Sequence, residues 1–320
     1  MLQMYIYMIN SLIMLILVII MIMISVAFST LFERKIMSLY HYRKGPNKIS
    51  FIGLTQPMND ALKLIFKENL MILKVNYFIY LITPIFMLIL TFLLWLLYPF
   101  YSNMMSFKLN ILFFLCIMSM SVYSLMLSGW SSNTNFSMIG TIRSMAQSIS
   151  YEVIFSIIIL ISILYTNSFN FKYLMYLNKF ISMIYFLPIM FMYMYISMLA
   201  EINRTPFDLS ESESELISGF NIEYSSKNFM FIFLAEYASI LFMMMLITMM
   251  FLFNKLIQIN FYLNLILLFF VTTWIRMTFP RMRYDKLMYL CWFYILPFTL
   301  LNFLMYLFIY KYTIELIIYN

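Results

Sequence analysis

Long apolar stretches alternate with short polar connections along the whole chain. A bilayer core about 30 Å thick is crossed by roughly 20 residues of helix, and eight stretches reach or approach that length. They cover about residues 4–30, 76–98, 109–129, 137–165, 180–199, 229–253, 257–274 and 287–310. The pattern predicts an all-α polytopic membrane protein with about eight transmembrane helices, organised as one integral domain over residues 1–320.

The connections are unequal in charge, and this predicts an orientation. Connections 1–2, 3–4, 5–6 and 7–8 share one side of the membrane and hold fifteen of the 20 lysines and arginines. The positive-inside rule assigns that side to the matrix or cytoplasm and both termini to the opposite side.

One connection contains a further helical pattern, at residues 55–70. Met58, Ala61, Leu62 and Ile65 recur at helical spacing, and Lys63 falls off that apolar stripe. The pattern predicts an amphipathic helix at the membrane surface. It is either a simple interfacial anchor or one wall of a cavity that admits an amphipathic ligand.

The stretch 200–237 departs most from the basic character of the chain. It carries seven acids against two bases, although the chain as a whole has a net charge of +7. A solvated acidic loop (200–228) is the simplest interpretation, but the acids begin where one apolar segment stops, and Glu236 lies inside the next. Carboxylates crowded in a low-dielectric setting hold protons near neutral pH, which suits proton transfer. Glu152 lies at membrane depth, where a carboxylate is a functional hypothesis by default.

Composition restricts the chemistry that the chain can perform alone. The two cysteines lie in separate apolar runs, His41 is the only histidine, and five glycines form no phosphate-cradling loop. No haem, iron–sulfur, nucleotide or metal site is recognisable, so any redox cofactor must belong to a partner. No nucleic-acid partner is expected.

Residue usage is skewed towards an organelle genome. There are 33 Met, 34 Phe and 26 Tyr against five Gly, as AT-rich codons and an AUA codon read as Met would produce. No cleavable signal or Arg-rich transit peptide precedes the first span. Both features are typical of an organelle-encoded protein.

Several motifs together resemble one family, membrane subunit 1 of mitochondrial NADH:ubiquinone oxidoreductase (respiratory complex I). The matching segments are Glu33-Arg34-Lys35, residues 43–47, Gln56-Pro57, Asp60-Ala61, residues 128–133, Ser150-Tyr151-Glu152, Ala200-Glu201, residues 203–208, 213–221 and 235–237, Pro280-Arg281 and residues 283–285. The resemblance covers the chain end to end, and the residue bias is similar to that of an insect mitochondrial genome.

The resemblance implies a multi-pass subunit of the mitochondrial inner membrane, with both termini on the intermembrane-space side, in an H⁺-translocating NADH:ubiquinone reductase. Ubiquinone is the implied substrate, nothing is bound permanently to this chain, and FMN and iron–sulfur clusters reside on partner subunits. The implied partners are the hydrophilic subunits of the quinone site, small membrane-arm subunits and membrane lipid. The implied lining of the ubiquinone passage is Glu33, Arg34, Arg43, Asp60, Lys63, Phe220 and Arg283. The implied proton-coupling carboxylates are Glu152, Glu201, Glu211, Glu213, Glu215 and Glu236.

The sequence departs from the family pattern at His41, Ser50, Ile202 and Lys286, and none of these differences removes a carboxylate of the proton-coupling route.

Two alternative functions from other classes of protein remain open at this point. A secondary transporter or cation channel would use the acids as a vestibule, although the spans contain almost none of the glycine that broken transporter helices use. A non-catalytic anchor would leave Glu152 and Glu236 unexplained.

Overall fold

The structure is a computed structural model, and it describes residues 2–70, 73–100, 107–209, 219–221, 223–252 and 258–319. Every regular element in these ranges is a helix, which confirms the predicted all-α class. Seven of the described helices are long and apolar enough to cross a membrane. The fold is therefore that of a polytopic helical membrane protein.

The helices follow the apolar pattern closely at most positions. Their bounds are α1 (Leu2–Tyr40), α2 (Gln56–Phe66), α3 (Tyr77–Trp95), α4 (Asn110–Ser132), α5 (Asn135–Thr166), α6 (Phe171–Phe180), α7 (Met183–Phe186), α8 (Pro188–Glu201), α9 (Ser226–Phe251), α10 (Ile259–Thr278), α11 (Tyr284–Tyr289) and α12 (Leu296–Tyr319). A 3₁₀ turn, Gly219–Asn221, precedes α9, and a π-helical segment, Leu290–Ile295, joins α11 to α12. Helix α2 lies within the predicted interfacial stretch.

The stretch 180–199 differs from the continuous span that its hydropathy predicts. The chain there forms the end of α6, the single turn α7, and α8, whose 14 residues fall short of a full crossing. The break is stabilised by Asn178, whose side-chain amide donates to the carbonyls of Met249 (2.7 Å) and Met250 (2.8 Å), while its oxygen accepts from the Met183 N–H. Pro188 then starts a new helix, because its missing N–H is not needed in a first turn.

Helix α9 is the centre of the bundle. It packs against α1, α2, α3, α6 and α10. About 67 % of its apolar span is buried, against 11 % for the span of α1 and 11 % for the span that ends in α12. The outer helices therefore present apolar surface suited to lipid, whereas α9 forms the centre of the packed interior.

Helices α4 and α5 approach most closely at Gly129. A methyl group built at this position would overlap the side chain of Thr141 on α5. Both residues are buried, so neither can turn towards open space. Glycine is required here for helix contact rather than for a special backbone conformation.

Gly129→Ala should lower stability by about 2 kcal/mol, because extra volume in a packed interior forces side chains and backbone apart. The measurement is the midpoint of thermal denaturation and the yield of assembled protein in mild detergent. The double variant Gly129→Ala with Thr141→Gly should recover most of the loss. A single variant as stable as the unmodified protein would contradict the assignment of a close helix contact.

Candidate functional site: a buried carboxylate cluster and an acidic cavity

The site begins where α8 ends, because the chain reverses there in a defined turn. The Asn203 N–H donates to the carbonyl of Ala200 (3.2 Å), and the Arg204 N–H donates to the carbonyl of Leu199 (3.1 Å). Asn203 has φ +54°, the left-handed conformation that glycine or asparagine adopts at such helix ends. This Schellman turn directs Arg204 back towards α1.

Glu33 on α1 receives three side-chain hydrogen bonds at the point to which Arg204 is directed. Its Oε1 accepts from Arg204 Nη1 (3.3 Å) and from Arg276 Nη1 on α10, and its Oε2 accepts from the Tyr237 hydroxyl on α9 (2.5 Å). Glu33 is only 3 % exposed. We call these four residues the Glu33 cluster; it joins three helices and the turn after α8.

Two arginines compensate the buried carboxylate of the Glu33 cluster. Burial alone would lower the pKa of the Arg204 guanidinium, but the carboxylate of Glu33 outweighs it and raises that pKa above its ordinary value. The guanidinium also lies over the ring of Tyr237, with its central carbon 4.7 Å from the ring centroid. Arg204 therefore stays charged, and the cluster holds one carboxylate between two cations.

A cavity of about 180 Å³ adjoins the Glu33 cluster. One wall is apolar and comes from α3 and α4, including Met87, Leu90, Ile117 and Met118. The charged part of the lining is formed by Glu201, Arg204, Asp208, Glu236 and Arg276, with the Tyr237 side chain beside them. We call this space the acidic cavity; it is large enough for several waters, since one water needs about 10–15 Å³ of this kind of volume.

Buried polar atoms at the acidic cavity lack partners within the described residues. They are Glu201 Oε2, Asn203 Oδ1 and Thr205 Oγ1. A buried polar group without a hydrogen bond costs free energy, and an ionised carboxylate costs more. The cavity therefore provides groups that can accept or share protons with water or with each other.

The structure brings together several of the predicted proton-coupling residues. Glu201 and Glu236 line the acidic cavity, and Glu152 on α5 is close enough to Glu201 for their charges to interact. The predicted Glu211, Glu213 and Glu215 lie outside the described residues.

The predicted passage residues occupy several different positions. Arg34 and Asp60 form an ion pair between α1 and α2 (2.5 Å), and Gln56 Nε2 donates to Asp60 (2.9 Å). Glu33 belongs instead to the Glu33 cluster. Arg43, Lys63 and Arg283 are exposed, and the backbone of Phe220 lies in the 3₁₀ turn that packs against α5.

The basic connection before α11 is more than the ordinary positive-inside loop that its sequence indicates. Arg281 pairs with buried Asp208 (3.3 Å), and the Met282 N–H donates to the carbonyl of Pro206 (2.9 Å). This connection therefore holds the segment after α8 in place. From sequence alone, the role of these bases could have been predicted only by asking which cations pair with the buried acids.

Tyr224 anchors the other end of the acidic stretch. Its hydroxyl lies 3.0 Å from Thr83 Oγ1 and 3.1 Å from Ser131 Oγ, and its ring stacks on Tyr80 at 4.4 Å. The Tyr80 hydroxyl donates to the carbonyl of Glu223 (2.5 Å). Burial raises the pKa of Tyr224, so the phenol keeps its proton at neutral pH. Nothing in the sequence pattern indicated this anchor.

Fold and site together define a polytopic helical membrane protein with a buried cluster of one carboxylate and two arginines beside a cavity lined by carboxylates. The sequence model of one family, described as NADH dehydrogenase, matches residues 13–307. The chain belongs to that family, an oxidoreductase family, as its motifs indicated.

Named relatives support the same membership. NADH-ubiquinone oxidoreductase chain 1 of Locusta migratoria is 47 % identical over 280 residues, covering 88 % of this chain and 88 % of the relative. The protein of the same name in Aedes aegypti is 47 % identical over 80 % of this chain and 82 % of its own length. That of Apis mellifera ligustica is 42 % identical over 85 % and 88 %. The resemblance to subunit 1 is thereby confirmed, and the transporter and anchor alternatives have no comparable support.

Glu33→Gln should destabilise the protein by about 2–3 kcal/mol. The change removes the carboxylate that pairs with both Arg204 and Arg276, and the value is below that of a fully buried pair because the Arg276 side chain is 34 % exposed. The measurement is thermal denaturation in mild detergent. Asp60→Asn, which breaks the exposed pair with Arg34, is the matched control and should cost under about 1 kcal/mol. Equal effects of the two changes would contradict the structural role of the Glu33 cluster.

Proposed function

We propose that this chain is a membrane subunit of the proton-pumping NADH:ubiquinone oxidoreductase of the mitochondrial inner membrane. Family membership and the names of its relatives support this proposal most directly. Electrons reach the quinone from FMN and iron–sulfur centres on partner subunits, and this chain contributes protein surface and proton-carrying groups. The basic connections face the matrix, because positive charge is retained on that side.

The ubiquinone passage runs between α1, α2 and α9. These helices pack against one another, and α2 leaves Met58, Leu62 and Phe66 exposed on its apolar face. A long isoprenoid tail requires such an apolar wall, and its headgroup requires a few polar groups at the inner end. Arg34 and Asp60 supply charged groups beside that wall.

The acidic cavity begins the proton-coupling route. The single observation that supports this proposal is that Glu201 and Glu236, far apart in sequence, line one cavity, while Glu152 lies close enough to Glu201 for their charges to interact. Two carboxylates about 4 Å apart repel by about 4 kcal/mol at an effective dielectric near 20, so they titrate as a coupled set. A charge that arrives or leaves at the quinone can thus shift protons several residues away. Glu211, Glu213 and Glu215 extend the set.

Arg34→Ala or Asp60→Ala should lower quinone reduction by about tenfold or more in the assembled complex, because each removes one charged group from the passage. Electron transfer from NADH to an artificial acceptor should be unchanged, since this chain acts after the cofactors. Both rates are measured on purified complex. Equal loss of both rates, with the complex fully assembled, would contradict the proposed passage.

Photo-crosslinking with a quinone analogue locates the passage independently. Labels should fall on α1, α2 or the first half of α9. Labels confined to residues 160–180 or 250–260, which the charge pattern predicts on the opposite side of the membrane, would exclude it.

Glu152→Gln and Glu201→Gln should lower quinone reduction and proton pumping together, by about tenfold or more, because Gln keeps the size of the side chain but carries no exchangeable charge. The measurement is both rates in reconstituted liposomes, normalised to assembled complex. Glu68→Gln is the matched control, since Glu68 is exposed outside the cavity, and it should change neither rate. Unchanged rates in the single and double cavity variants would show that the carboxylates carry no coupling.

A further inference from the structure

One buried amide holds both ends of the turn that carries the charged groups. Gln147 on α5 is fully buried, at 0 % exposure. Its Nε2 donates to the carbonyl of Ala200 (2.7 Å) and to the carbonyl of Phe207 (2.7 Å). These two carbonyls lie seven residues apart, on either side of the turn after α8.

Residues 201–205, between those two carbonyls, line the acidic cavity. Glu201 follows Ala200 directly, and Arg204 occupies the middle of the turn. Asp208 follows Phe207 and pairs with Arg281. The Gln147 amide thus connects the two ends of the short segment that carries Glu201 and Arg204.

This pair of hydrogen bonds requires an amide on a side chain of this length. A primary amide has two N–H donors on one nitrogen, so it can satisfy two carbonyls at once. The Gln147 Oε1 is buried without a hydrogen-bond partner among the described residues. An unsatisfied buried acceptor has a cost, and an apolar side chain of equal length would avoid it, which indicates that the donors rather than the packing require glutamine here.

We propose that Gln147 is a positioning residue for proton coupling, which sets the place of Glu201 and Arg204 through the backbone carbonyls of Ala200 and Phe207. This inference rests on the proposed function of the acidic cavity. Gln147 stands five residues before Glu152 on the same helix, so one rigid segment of α5 fixes both the Glu152 carboxylate and the turn that carries Glu201. The separation of these two carboxylates is therefore set by α5.

The test compares Gln147→Met and Gln147→Leu with the control Ser148→Ala in the assembled complex. The first two variants are apolar side chains of similar size that remove the paired N–H donors and add no charge. Ser148 is buried on the same helix, but its hydroxyl donates only within α5, to the carbonyl of Met145. The charged groups that face Glu201 across the acidic cavity, or lie beside it, are Glu152, Arg204, Asp208, Glu236 and Arg276.

Turnover per assembled complex should fall by about fivefold to tenfold in both Gln147 variants, as expected for two lost hydrogen bonds, and should be unchanged in Ser148→Ala. NADH oxidation by an artificial acceptor should also be unchanged. The pH at which turnover is half-maximal should move to lower pH, because a looser turn lets Glu201 leave Glu152 and reduces the repulsion that favours a bound proton. If Gln147→Met assembles poorly, Gln147→Leu, which is smaller and equally uncharged, gives the same readout.

Less assembled complex with normal turnover and an unshifted pH profile would assign Gln147 a merely structural role and overturn the inference. Normal Gln147 variants beside an impaired Glu201→Gln variant would overturn the inference and leave the proposed route intact. Normal behaviour in all of these variants would overturn both.

Discussion

A carboxylate that is almost wholly buried inside a helical bundle constrains everything around it. An isolated buried charge is too costly to persist, so Glu33 requires opposite charge and hydrogen bonds from its surroundings. Arg204, Arg276 and Tyr237 supply them from three separate elements. The two ion pairs and one hydrogen bond of a single carboxylate therefore fix the positions of α1, α9, α10 and the turn after α8 relative to one another.

The same residues relate the two proposed functional regions. Arg204 and Arg276 bind Glu33 and also line the acidic cavity, so a change of charge in the cavity acts on groups already shared with α1. The next residue on α1, Arg34, points instead to α2 and pairs with Asp60. In the proposed mechanism, two consecutive residues of one helix thus connect the quinone passage with the acidic cavity. The connection needs no redox group on this chain.

Much of the fold was readable from the sequence because lipid-spanning helices require long apolar runs. The bounds of α4, α5 and α9 lie within three residues of the predicted spans. The break near Pro188 was missed, because it depends on the contact of Asn178 with the end of α9 and not on hydropathy.

The candidate site was predictable only in part. Glu152, Glu201 and Glu236 stood out as acids beside apolar segments; Glu201 and Glu236 line one cavity, and Glu152 lies close enough to Glu201 for their charges to interact. The partners of Glu33 did not stand out, since Arg276 is 243 residues away in the chain and reads as an ordinary basic residue at a helix end. Gln147 gave no signal either, because an uncharged side chain that holds two backbone carbonyls has no periodicity or charge pattern.

The most direct test of the central contact is a double-mutant cycle between Glu33→Gln and Arg204→Gln, read as the thermal stability of the assembled complex. If the two side chains stabilise the bundle as a pair, the second change costs much less in the presence of the first, with a coupling free energy of about 2 kcal/mol. Additive effects, with a coupling free energy below about 0.5 kcal/mol, would contradict the role assigned to Glu33.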